Sequence, residues 1–404
     1  MSPSGEHPEE VLYLANATVF DGRSVKTRQG VSIRGGSIEW TGSHVRAPRA
    51  ARSASEYVDL AGDVLTPGLI DCHVHLQFDG SPDFNAEAAA LNPALATVKA
   101  VANLGRHLEA GVTAVRDLGG LGNVSPVVGR AVAEGRVTGP RVRAAGRALT
   151  VTGGHGHSVF AREVDGPDTV RRAVREEIKS GATAIKLVAT GGVLTPGIGA
   201  TFAAFTAEEL RAAIDEAHAW GRRVAAHAIG EEGITRAVRA GVDSIEHGCH
   251  ISTPLAKEMR ERGTFRSPTI SALRGIAGHP DEVPSYAVEK AMSLLAVSEA
   301  SHRRAVRAGV RHVCGTDAGT PFNPHGGAPG EVIAMVEWGM SERAAMRAAT
   351  SEGADLLGFD DTGRIAPGMR ADLVRYAVDP LQDITGIQRP RTVWLAGAVV
   401  ATLD

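Results

Sequence analysis

The run GLIDCHVHL, residues 68–76, constrains this chain more than any other stretch, because an apolar strand-like segment ends in two histidines, His73 and His75, one residue apart. Side chains two apart on a β-strand project to the same face, so both imidazoles converge on one point. Converging imidazoles suit a metal ion, although two polar residues at the mouth of a strand would present the same pattern.

Four further apolar runs end in residues with the same potential: AIKLVATGG with Lys186, RVAAHAIG with His227, SIEHG with His247 and HVCGTDAG with Asp317. Each gives way to glycine, threonine or another loop former just past the polar residue, as strand C-termini do. Between these runs lie helical patterns. AEELRAAIDEAHAWG, for example, follows Thr206 as N-cap and stops at Gly221. Repeated βα units predict a parallel sheet with crossover helices, and polar residues at strand C-termini predict the active face of a (β/α)8 TIM barrel in the α/β class. Eight candidate strands can be read, at 68–75, 112–118, 141–146, 184–189, 223–228, 244–248, 264–268 and 311–317. A doubly wound sheet would also bind ligands at strand ends, but no glycine-rich phosphate fingerprint opens a helix after the first strand.

With those residues in place, the chain resembles the amidohydrolase superfamily, in the branch of imidazolonepropionase-like and prolidase-like (Xaa-Pro dipeptidase-like) enzymes. The likeness runs from TPGLIDCHVH through KLVATGG, AAHAIG, IEHG and GTDAG to GRIAPGMRADLV, almost the whole chain. It implies two divalent ions in the barrel mouth. His73, His75 and Asp317 would hold the more buried ion and His227 and His247 the second, with Lys186 bridging both. A protonated lysine cannot ligate a cation, so that bridge requires a CO2-derived carbamate on Lys186; otherwise the residue reads as a barrel lysine paired with a carboxylate. Imidazole and carboxylate donors suit zinc, and a water between two such ions has its pKa lowered to about 7, which supplies hydroxide at neutral pH. Asp317 is then also the catalytic residue that takes the proton of the attacking water and returns it to the leaving amine. The implied reaction is hydrolysis of a C–N amide bond in a dipeptide-like molecule or an N-acyl amino acid. The alternative is a cyclic-amide hydrolase of the imidazolonepropionase kind or a heterocycle deaminase. A non-catalytic relative would be expected to lose ligands, and all six positions are filled here.

Three residues are candidates for substrate contact. The glycine-rich loop VTGGHGHSVF lets His155 or His157 reach inward, and the resemblance favours His155. His325, in NPHGG beyond the eighth strand, matches a loop position of the family. Ile229 stands where many prolidase-like relatives place a substrate-binding tyrosine, and an isoleucine cannot donate a hydrogen bond. His107, His218, His250, His302 and His312 read as surface or structural histidines, Asp117 as a structural carboxylate, and Cys72, Cys249 and Cys314 as small buried residues.

At 404 residues the chain exceeds the roughly 250 of a bare barrel. The excess lies at both ends, in short alternating strands separated by Gly, Asn and Asp turns. The expected organisation is a barrel over 67–357 and a small composite β-sandwich built from 1–66 and 358–404. A net charge of −3 with no basic stripe excludes nucleic acid as the expected partner and leaves a small-molecule substrate; a homo-oligomer is compatible with this reading. The leader MSPSGEHPEE lacks the basic and apolar regions of a signal peptide, and no apolar run approaches the ~20 residues of a membrane span, so a cytoplasmic protein without membrane association is expected. Three scattered cysteines form no disulfide framework, which agrees with a reducing compartment.

Overall fold

The computed structural model describes residues 11–403, and the leader with His7 lies outside them. The parallel strands fall in two sheets. Leu69–Val74, Val112–Asp117 and Arg141–Ala144 form the first. The second runs in the order Ala161–Glu163, Ala148–Thr150, Ala184–Val188, Arg223–Ala228, Ser244–His247 and Phe265–Ser267. Every pairing within both sheets is parallel, which requires crossover connections.

The crossover helices begin and end where their capping residues dictate. Ala207–Ala219 opens on a capping box: the Thr206 hydroxyl accepts from the Glu209 N–H while the Glu209 carboxylate accepts from the Thr206 N–H. Glu231–Ala240 and Thr253–Arg262 end on Gly241 and Gly263, both in the left-handed conformation that closes a helix. Their apolar faces, through Ile214, Val238 and Met259, bury against Ile185, Val224 and Ile245 of the strands. Each such side chain contributes about 1.5–3 kcal/mol when fully buried.

Two expected strands depart from regularity. The third ends at Ala144 in the first sheet, the chain turns at Gly146 with φ +69°, and it joins the second sheet as Ala148–Thr150. The eighth segment, 311–317, forms no regular ladder. It is joined by isolated parallel bridges, His312 to Arg266 and, just past it, Ala318 to Val74, and by a 2.8 Å bond from Cys72 N–H to the Cys314 carbonyl. The cause is local. Asp317 adopts φ +61°, and Gly315 is pressed so close to its neighbours that a Cβ there would lie 2.2 Å from Ser267 Oγ.

Strands from both ends of the chain meet in one eight-stranded sheet, where two facing sheets were expected. Its order is Ala398–Thr402, Pro390–Leu395, Leu373–Tyr376, Val64–Pro67, Val11–Phe20, Val25–Arg34 and Ser37–Ser43, with Glu56–Asp59 paired to Val11–Phe20. Val64–Pro67 accounts for the single sheet, because it pairs parallel with Val11–Phe20 and antiparallel with Leu373–Tyr376. Among the described residues no helix is long and apolar enough to cross a membrane.

The chain leaves this sheet for Leu69–Val74 through Gly68, where a Cβ would lie 2.0 Å from Thr113 Oγ1. Gly68→Ala is therefore expected to destabilise the protein by about 1–3 kcal/mol. Gly105→Ala, within helix Pro93–Glu109 and facing open space, is expected to stabilise it by up to about 1 kcal/mol. Urea unfolding of both variants measures the difference, and a Gly68→Ala protein as stable as the parent would contradict the close approach.

Candidate active site

One pocket gathers His73, His75, Lys186, His227, His247 and Asp317 from four strands and the 311–317 segment. His73 Nε2 and His75 Nε2 approach the same oxygen, Asp317 Oδ1, at 3.3 and 3.2 Å. The three ligand atoms lie within 4.8 Å of one another, close enough to hold one ion. Lys186 Nζ sits 3.3 Å from His73 Nε2. The His227 and His247 rings are 4.5 Å apart, and His247 is 5.4 Å from His73, so all four imidazoles share one space.

Hydrogen bonds fix which nitrogen of each ring faces the pocket. A carbonyl only accepts, so His75 Nδ1–H donates to Gly119 O at 2.8 Å and turns Nε2 toward Asp317 Oδ1. His227 is the reverse, its Nε2–H donating to Gly191 O at 2.8 Å and Nδ1 remaining free. His247 Nδ1 lies 2.7 Å from Thr269 Oγ1, whose own hydrogen goes to the Pro268 carbonyl at 2.8 Å; Nδ1 must therefore donate, and Nε2 is free. His73 Nδ1 lies 3.0 Å from Glu246 Oε2, and neither atom has a hydrogen-bond partner.

Burial holds His73, His155, His227 and His247 well below the ordinary imidazole pKa, so they are neutral near pH 7, the form that ligates metal. His75 is buried too, but the hydrogen bond and charge of Asp317 outweigh burial and raise its pKa. Burial acts to raise Asp317, and the neighbouring His73, His75 and Lys186 overcome it and lower its pKa. For Lys186 burial wins, and the ammonium falls to about 8.

Several residues that support the site were given no role in the sequence reading, although most lie inside its motifs. Asp71 accepts from His73 N–H at 3.2 Å, Thr316 N–H at 3.0 Å and Thr316 Oγ1–H at 2.7 Å, and burial raises its pKa to about 7. Glu246 is fully buried and receives Arg116 Nη2 at 2.8 Å, while Arg116 also donates to the Cys72 carbonyl and Ser244 Oγ. Asp117, read as structural, accepts from Leu76 N–H at 2.8 Å and fixes the turn beyond His75. The alternation rule conceals Glu246, since it and His247 are consecutive yet both meet His73. His247 has φ +67°, a left-handed backbone that breaks the strand's alternation. Asp71, in contrast, lies two residues before His73 and was detectable from spacing.

The three candidate substrate residues separate. His155 lines the pocket with its ring 4.7 Å from His227 and its Nδ1 2.7 Å from Thr195 Oγ1, and Ile229 lines it as well. His157 points outward and is exposed. His325 is not brought to the pocket. Its Nε2–H donates to the Phe78 carbonyl at 2.9 Å, and its Nδ1 accepts from His107 Nε2 at 2.9 Å. Of the remaining histidines, His107, His302 and His312 are buried, and Cys72, Cys249 and Cys314 are free and buried.

The amidohydrolase family matches residues 64–400. The chain belongs to that family. Ochratoxinase from Aspergillus niger is 32% identical over 368 residues, spanning 83% of this chain and 75% of that enzyme. Its crystal structure superposes with a TM-score of 0.89 at 28% identity, covering 98% of this chain and 96% of that one. A Xaa-Pro dipeptidase crystallised with methionine in its active site gives a TM-score of 0.89 at 32% identity, over 96% of this chain and 99% of the other. A shorter match, 42% identical over 69 residues and 17% of each chain, is to imidazolonepropionase from Legionella pneumophila. This amidohydrolase is a hydrolase acting on carbon–nitrogen bonds.

The His107–His325 pair gives the amidohydrolase a pH signature away from the pocket. Burial holds His325 down to about 4, with the Phe78 carbonyl bond opposing it, against an ordinary value of 6.5. As the pH falls through that window the unfolded chain binds a proton that the folded chain refuses, so stability drops toward acid. His325→Gln keeps a donor for the Phe78 carbonyl and removes this titration. Between about pH 7 and about pH 4.5 its unfolding free energy is expected to fall less than the parent's by about 2–3 kcal/mol, measured by urea titration. Equal losses in both proteins would contradict the assignment.

Proposed function

We propose that this amidohydrolase cleaves the amide bond of a small molecule at a binuclear metal centre. One observation carries the reading: six donors from four strands and the 311–317 segment face one pocket, and three of their imidazoles are each oriented by a hydrogen bond through one ring nitrogen. His73, His75 and Asp317 would hold one divalent ion, and His227 and His247 the second, with zinc favoured by this donor set. Lys186 would bridge them as a carbamate. Its lowered pKa supports this, since only the neutral amine combines with CO2. When bound, the ions polarise the scissile carbonyl and make water a nucleophile at neutral pH.

The chain's own groups do the rest. Asp317, whose lowered pKa keeps it ionised, accepts the proton of the attacking water as the oxygen–carbon bond forms, and passes it to the amine nitrogen as the carbon–nitrogen bond breaks. Glu246, anchored by Arg116, keeps the His73 ring turned into the pocket. The wall that holds these groups is read as one closed (β/α)8 barrel over 67–357, supported by the bonds Thr183 N–H to Ala144 O and Val313 N–H to Arg266 O, which join neighbouring segments across the gaps between ladders.

Metal analysis of the purified protein together with an amide panel tests this function. About two ions per chain are expected. A reproducible value near one at full activity would reject the binuclear centre, and amide hydrolysis without metal would reject the mechanism. Lys186→Ala is expected to lose metal and most activity, with partial rescue by a short carboxylic acid and added metal.

Asp317→Asn isolates the proton transfer. It is expected to lower kcat by at least about 100-fold at unchanged metal content. Less than about a tenfold loss at full occupancy would leave Asp317 a ligand and nothing more.

A further inference from the structure

Beyond the six candidate ligands the pocket wall is mostly hydrocarbon, interrupted by His155, Cys249 and Thr320. Phe84 and Phe160, whose rings are 6.2 Å apart, belong to one apolar cluster, while Ile229, Leu273 and Ile276 belong to another, and both clusters open onto the same cavity. The two substituents of an amide placed at the metal ligands would therefore each meet apolar surface.

The cations near the pocket are already engaged. Among the described residues that line it, Lys186 is the only lysine or arginine, and it sits inside the ligand ring. The lysine behind the 191–199 loop, Lys290, directs its ammonium to the carbonyls of Gly192, Thr195 and Ile198 at 3.2, 2.7 and 2.7 Å. An ammonium has three donors, and all three are used. The neighbouring polar groups also face the loop: Tyr286 OH donates to Leu194 O at 3.0 Å, and Asn85 Nδ2 lies 3.2 Å from that hydroxyl. A substrate carboxylate outside the ligand ring would be buried against hydrocarbon without a counter-charge, which is strongly unfavourable.

We infer that the amidohydrolase selects amides carrying uncharged, apolar groups on both sides of the scissile bond and discriminates against N-acyl amino acids and free dipeptides. This rests on the amide-hydrolase reading and departs from the dipeptide-like substrates that the sequence resemblance implies. Selection is by exclusion. The wall offers a neutral amide dispersion contacts and offers a carboxylate no counter-charge, only the neutral His155 and the Thr320 hydroxyl.

A matched pair tests it: N-benzoylphenethylamine and N-benzoylphenylalanine, which differ only in the carboxylate. The metal-loaded enzyme is expected to hydrolyse the neutral member with a kcat/KM at least about tenfold higher. Calorimetric titration of both into the Asp317→Asn protein, where turnover is slowed, reads binding and is expected to give the same order of affinity. Leu273→Arg, which places a cation on the wall, is expected to narrow or reverse the preference, with metal content and thermal unfolding confirming an intact protein. Equal or tighter binding of the carboxylate member, faster cleavage of it, or no binding of either would overturn the inference. A metal-loaded enzyme that hydrolyses no amide of a broad panel would instead overturn the proposed function, so the two failures are distinct.

Discussion

The buried carboxylate of Asp71 is the constraint on which the site's geometry depends. The segment that delivers Asp317 has no regular ladder to hold it, and Asp71 supplies the missing attachment by receiving both the backbone N–H and the hydroxyl of Thr316. The same carboxylate receives the His73 N–H, so the first strand and the last segment are tied through one side chain. His73 and Asp317 thereby reach the same point, and Asp317 can touch the imidazoles of His73 and His75 at once. Burial disfavours the charge on Asp71, and the three donors lower its pKa only in part.

A second buried charge system lies beneath the first. Arg116 and Glu246 are each almost completely buried, 2.8 Å apart, and Glu246 turns its other oxygen toward His73. A buried ion pair of this kind adds little net stability, because desolvation offsets most of the attraction. Its value here is directional. A hydrophobic pair of the same volume would fill the space and leave His73 without a carboxylate behind it.

How much of this was legible in the sequence depends on where the backbone keeps a regular period. His73 and His75 sit two apart on a strand, and the period-two rule places them on one face. Lys186 and His227 follow the same rule, and their strands match the expected ones to within a residue or two. The rule fails at His247 and Asp317, where φ is +67° and +61°. There the chain leaves the pleat, so Glu246 and His247 both meet His73, which no alternation pattern can indicate. His325 shows the opposite failure. Its loop position suggested a substrate contact, but the partners that claim its two nitrogens, His107 and the Phe78 carbonyl, are 218 and 247 residues away in sequence. The apolar wall was foreshadowed by Ile229 alone, because the rest of it comes from loops and helices brought together only by the fold.

The eight-stranded sheet has a consequence for how the molecule is made. Val64–Pro67 needs Leu373–Tyr376 beside it, with Val64 opposite Tyr376. On a ribosome adding about 5–20 residues each second, the intervening chain takes many seconds to emerge, and during that time Val64–Pro67 keeps one hydrogen-bonding edge unpaired. An open edge recruits other strands, including those of neighbouring nascent chains. The parallel strands and their helices can be synthesised and packed before that edge is sealed. Vectorial synthesis thus makes the terminal sheet the last part of this protein to close and the part most exposed to aggregation while it waits.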